Sequence, residues 1–236
     1  MKTIGVLGGM SWESSLEWYR LANERVRNLL GGHHSARILL DSLDFAEIEQ
    51  MQARDDWEAA GALLADRARA LEGAGAEVLV LCTNTMHLVA DRIQAAVRIP
   101  FLHIADVAAE AIAAAGVQTI GLLGTAFTME RPFYAERLAT HGIRTIVPDG
   151  GDRAAVHAII YDELVHGRIR EESRRRYVEV IQRLVERGAE GIVLGCTEIE
   201  LLVSASDAPV PVFPTTALHV DAAVSLALTE TGHGPQ

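Results

Sequence analysis

A chain of 236 residues, 49% hydrophobic and 22% charged, holds enough apolar material for one large or two small globular domains and is a poor candidate for extended disorder. Its net charge of −11 argues against a nucleic-acid partner, which needs clustered Lys and Arg. The 21 basic residues are twenty arginines and one lysine, Lys2, so no well-placed lysine exists for a pyridoxal phosphate Schiff base; two cysteines are too few for a disulfide framework or a cysteine-only metal site.

Short apolar runs at residues 4–7, 38–40, 78–81 and 99–102 read as buried strands. Helical patterns lie between them. Leu16, Tyr19, Ala22, Val26 and Leu29 predict one buried helix face, and Trp57, Ala60, Leu64, Ala68 and Leu71 a second, closed by Gly73 and Gly75. Such alternation implies a parallel sheet covered by helices. Helices are also expected at residues 106–115 and 216–228, with a frayed tail after Thr229. The opening apolar run stops at Gly8-Gly9, too short for a signal peptide, and no stretch approaches the ~20 apolar residues of a membrane span. The expectation is a soluble, cytoplasmic protein with no membrane partner.

Halfway along, the pattern restarts. Ile4-Gly5-Val6-Leu7-Gly8 is echoed by Ile120-Gly121-Leu122-Leu123-Gly124, and Gly75-Ala76-Glu77 by Gly188-Ala189-Glu190. Val80-Leu81-Cys82-Thr83 recurs as Leu194-Gly195-Cys196-Thr197, and Ile99-Pro100-Phe101 as Val210-Pro211-Val212. Four echoes in one order indicate a duplicated half. The expected fold is α/β, with two pseudosymmetric domains, each a four-stranded parallel sheet flanked by helices. The first would span residues 1–104 plus 215–236 and the second residues 105–214.

Cys82 and Cys196 occupy matching places, each at the end of a strand and followed by polar residues. Ligands of open α/β sheets bind beyond the carboxyl ends of the strands, and a helix N-terminus there favours an anion and lowers a thiol pKa. An approximate two-fold relation between the halves would set the two thiols on opposite sides of a small substrate. That arrangement suits stereoinversion at a carbon bearing hydrogen: one thiolate removes the proton, and the opposite thiol returns one to the other face.

The segments Gly8-Gly9-Met10-Ser11-Trp12, Cys82-Thr83-Asn84-Thr85-Met86-His87 and Gly195-Cys196-Thr197-Glu198 make the chain resemble the aspartate/glutamate racemases, the pyridoxal-phosphate-independent branch of the aspartate/glutamate/hydantoin racemase superfamily. The resemblance runs nearly end to end. It implies an amino-acid racemase with no metal and no organic cofactor, a small amino-acid substrate, a homodimer, and Cys82 and Cys196 as the acid/base pair. It further implies substrate contacts from Met10, from Gln52 in a loop after the second strand, from the carboxylate-binding turn of Thr83, Asn84 and Thr85, and from Thr125. Thr197 and Glu198 flank the second thiol, where Glu198 would orient the substrate ammonium, tune Cys196, or act only on a helix dipole. Aspartate-selective members hold the side-chain carboxylate with a basic residue after the second strand. Here residues 45–52 are acidic and amide-rich, with Arg54 the nearest arginine, which opens the range to glutamate or a broader set.

Other signals are weaker. The glycines at 5, 8 and 9 lack the G-x-G-x-x-G dinucleotide spacing, and the nine histidines form no metal motif, so His87, His103 and His219 read as packing or supporting groups. Arg174-Arg175-Arg176 reads as a solvated helix face with i,i+4 pairs to nearby glutamates. The alternatives within the superfamily are hydantoin racemase, maleate isomerase and a decarboxylase of substituted malonates; outside it stands a non-catalytic amino-acid-binding protein.

Overall fold

The computed structural model describes residues 1–229, and the predicted fraying of the tail therefore falls outside the described residues. The chain divides into two compact units, one of residues 1–82, 89–102 and 219 onward, the other of residues 83–88 and 103–218.

In the first unit, β1 (Ile4–Gly8), β2 (Ile38–Ser42), β3 (Val78–Leu81) and β4 (Phe101–Leu102) form a parallel sheet in the order β2-β1-β3-β4. The helices are α1 (Trp12–Leu30), α2 (Phe45–Ala53), α3 (Trp57–Gly73) and α4 (Ala90–Ala96). β1 is central and fully buried, pairing Ile4 with both Ile38 and Val78. The last strand is shorter than its apolar run. Pro100 has no N–H to give, and only its carbonyl joins the ladder, accepting from Leu79 N–H at 2.8 Å.

In the second unit, β5 (Thr119–Gly124), β6 (Arg144–Ile146), β7 (Gly191–Gly195) and β8 (Val212–Pro214) repeat that order as β6-β5-β7-β8, again all parallel. Around them lie α5 (Ile104–Ala114), α6 (Ala126–Glu130), α7 (Pro132–Ala139), α8 (Gly150–Asp162), α9 (Glu171–Glu186), α10 (Ile199–Leu202) and the start of α11 (Thr215–Leu228). The architecture is the expected pair of four-stranded parallel sheets flanked by helices. His103 caps α5, its Nδ1 accepting from Ala105 N–H at 3.2 Å, so that helix begins two residues before the sequence pattern places it.

Three expectations need correction. The buried face of α1 is Ser14, Ser15, Trp18, Ala22 and Val26, whereas Leu16, Tyr19 and Leu29 are exposed. This helix carries apolar residues on most of its circumference, and the stripe with the large indole packs against Ile4, Val6 and Val80. Second, residues 45–53 form a helix rather than a loop. Asp44 caps it, its carboxylate accepting from Ala46 N–H at 3.0 Å, and no Gly or Pro interrupts it. Third, the arginine run on α9 pairs at i,i+3 rather than i,i+4. Arg174 meets Glu171 and Arg176 meets Glu179, while Arg176 and Arg183 converge on the buried Asp152 of α8.

Candidate active site

Both cysteines sit one residue beyond a central strand. Cys82 follows β3, is 4% exposed, and its N–H extends the ladder to Leu7 O at 2.9 Å. Cys196 follows β7 and is 9% exposed. The expected lowering of their pKa values does not occur. Burial pushes the Cys82 thiol up. Burial pushes Cys196 well above the usual thiol range too, aided by the charge of Glu198 and by the thiol's own bond to that carboxylate. The elements that follow explain the sign: a 3-10 turn at Thr85–Val89 after Cys82 and the four-residue α10 after Cys196. Neither supplies the aligned dipoles of a long helix, so desolvation of the charged form wins.

Cys196 has a specific partner. Its thiol donates to Glu198 Oε2 at 3.0 Å, and the backbone N–H of Glu198 points back at the sulfur. Glu198 is itself only 4% exposed. Thr197, between them, is buried at 5%.

After Cys82 the turn of Thr83, Asn84 and Thr85 is buried at 9%, 3% and 5%. Among the described residues, none of their three backbone N–H groups makes a hydrogen bond. The side chains of Asn84 and Thr85 do, both within the second unit. Asn84 Nδ2 donates to Thr215 Oγ1 at 3.0 Å, and Thr215 in turn donates to Leu194 O on the Cys196 strand at 2.8 Å. Because the single Thr215 proton goes to that carbonyl, the amide nitrogen of Asn84 must face Thr215, and Asn84 Oδ1 remains buried without a partner. The Thr85 hydroxyl lies 2.9 Å from that of Thr125 and 3.3 Å from that of Thr128, while Thr125 and Thr128 lie 3.2 Å apart. Thr125 also caps α6, accepting from Thr128 N–H.

Met10 and Gln52 belong, with Cys82, to the first unit. Met10 stands two residues past β1, 5% exposed. Gln52 is buried at 5% in the last turn of α2. The chain can turn at Gly9 only because that residue has no Cβ. Its φ is +87°, and a Cβ there would collide with the Leu43 carbonyl and amide. The Gly9 N–H donates to Ser15 Oγ at 2.7 Å, which holds the glycine pair against the first turn of α1.

The structure adds Thr128 and Thr215 to the residues expected from sequence. Thr215 follows β8 at the strand's carboxyl end, as Cys196 follows β7, and that position was its one signal. Thr128 lies three residues after a capping threonine, a spacing too common to single it out. Among the described residues, no group of three or more His, Cys, Asp or Glu side chains is arranged to hold a metal ion, and no helix is long and apolar enough to cross a membrane.

Known proteins share this fold. The family model for Asp/Glu/hydantoin racemases matches residues 7–223. A Yersinia pestis protein proposed to be an Asp/Glu racemase has a crystal structure 56% identical in sequence, with TM-score 0.90, covering 97% of this chain and 100% of that one. An aspartate racemase homologue from Pyrococcus horikoshii OT3 is 34% identical with TM-score 0.84, over 96% and 99% of the two chains. The Picrophilus torridus aspartate racemase, at 18% identity and TM-score 0.77 over 96% and 94%, shares the fold. With a match over most of its length and the duplicated sheets the resemblance required, the chain belongs to the Asp/Glu/hydantoin racemase family.

Proposed function

We propose that the protein is a cofactor-independent amino-acid racemase of the aspartate/glutamate type, with Cys82 and Cys196 as its acid/base pair. One observation carries the reading: each of two like sheets ends its second central strand in a buried thiol followed by a polar turn. Inverting a stereocentre requires one proton acceptor and one proton donor of similar strength, and a duplicated unit supplies two of a kind.

In one direction a thiolate takes the Cα proton and becomes a thiol, leaving the electron pair delocalised into the substrate carboxylate. The other thiol gives its proton to Cα and becomes a thiolate. Protonation states have then exchanged, and the reverse reaction restores them. Both thiols are held protonated by burial, so ionisation needs help from the substrate. The substrate ammonium supplies a compensating positive charge, and Glu198 is bonded to the Cys196 thiol where it can receive that proton. The unpartnered Oδ1 of Asn84 suits the ammonium, and the free N–H groups of residues 83–85 suit the α-carboxylate. Residues 45–52 include two acidic and two amide side chains and no basic one, which favours glutamate or a broad range over strict aspartate selectivity.

An amino-acid panel incubated in deuterated water and followed by chiral analysis tests the reading. Racemisation with one deuterium entering at Cα is expected for an acidic amino acid. Cys82→Ser and Cys196→Ser should each cut racemisation by at least roughly 10²–10⁴-fold, the usual weight of a general acid or base. Each variant should retain deuterium exchange of one enantiomer only. Wild-type rates in both variants, or turnover of hydantoins or maleate alone, would sink the proposal.

A further inference from the structure

His87 is 3% exposed and stands outside the acid/base pair. Its Nδ1 lies 2.7 Å from Thr83 O, and its Nε2 lies 3.2 Å from the backbone nitrogen of Ile104, the first residue of α5. A carbonyl can only accept and an amide N–H can only donate. The ring is therefore the neutral tautomer with its proton on Nδ1, donating to Thr83 and accepting from Ile104. His103 packs against it edge-on, with ring centroids 4.5 Å apart, and so limits its rotation.

Thr83 O and Asn84 N–H belong to one planar trans peptide and point in opposite directions. Pinning the carbonyl on His87 therefore fixes where the Asn84 N–H points, and that N–H makes no hydrogen bond among the described residues. We infer that His87 is a positioning residue: by holding the Thr83 carbonyl, it keeps the Asn84 N–H directed at the carboxylate of the substrate. The inference rests on the racemase reading of the same turn. The histidine touches no substrate atom in this role and acts through one peptide plane.

Two substitutions separate this role from simple support of the fold. The side-chain nitrogen of an asparagine falls near the place of Nδ1, and the terminal amide of a glutamine near that of Nε2. His87→Asn keeps a donor for Thr83 and loses the acceptor for Ile104; His87→Gln does the reverse. For racemisation of L-glutamate or L-aspartate, whichever wild type turns over, His87→Asn should hold KM within about threefold. His87→Gln should raise KM at least tenfold, with a smaller change in kcat, even where the two variants melt at the same temperature. Equal KM values in the two variants, or a KM that simply follows the melting temperature, would overturn the inference. A second measurement does not depend on the variants folding: in 15N-labelled wild type, the Asn84 amide resonance should shift on adding the amino acid, and an unmoved resonance in an active enzyme also overturns it. A wild-type protein inert toward every amino acid defeats the racemase reading itself, whereas an active one with indistinguishable variants defeats only the role of His87.

Discussion

The two thiols are alike in place and unlike in company. Cys82 is raised by burial alone, whereas Cys196 also carries the charge and the hydrogen bond of Glu198. Glu198→Gln removes the negative charge, so the Cys196 thiol should ionise at lower pH than in wild type. Iodoacetamide labelling followed by mass spectrometry across alkaline pH should show the Cys196 curve moving down and the Cys82 curve staying in place; an unmoved Cys196 curve would mean that burial alone sets its pKa. The positions of these thiols were legible as paired Cys-Thr motifs after apolar runs. Their raised pKa values were not, because they depend on burial and on the rotamer of one neighbouring carboxylate, and local sequence reports neither.

Among the elements, the turn from β1 into α1 is the most constrained. Gly9 combines a left-handed φ with a Cβ position already filled by the Leu43 backbone. Gly9→Ala should cost roughly 1–3 kcal/mol from backbone strain alone, with the collision added. Urea denaturation should show the midpoint falling sharply, and a midpoint within error of wild type would contradict the geometry. Strand and helix order were readable here because buried parallel strands are short unbroken apolar runs punctuated by glycine. Which face α1 buries was not readable. The helix offers two apolar stripes, and the choice falls to Trp18, Ala22 and Val26 because they fit the sheet residues Ile4, Val6 and Val80. The same limit hid Gln52 in a helix, since its segment is polar and only the Asp44 cap marks its start.

For the molecule as a whole, the duplication was the most legible feature, because four short echoes kept their order while their offsets drifted by only a few residues. Less legible was the grouping of residues 83–88 with the second unit. It follows from the bonds of Asn84, Thr85 and His87 to Thr215, Thr125 and Ile104, partners far away in the chain. The stripe of α1 that the sheet leaves uncovered stays at the surface, with Trp12, Leu16 and Tyr19 62%, 56% and 48% exposed on successive turns.

The three hydroxyls of Thr85, Thr125 and Thr128 form a closed triangle in which each oxygen is within hydrogen-bond reach of the other two. Three protons on three oxygens can circulate in either sense with no heavy atom moving. Such a ring acts as a reversible reserve of donors. Turning one proton outward toward an arriving anion forfeits a single hydroxyl–hydroxyl bond, about 1 kcal/mol, and the new charged partner more than offsets that loss.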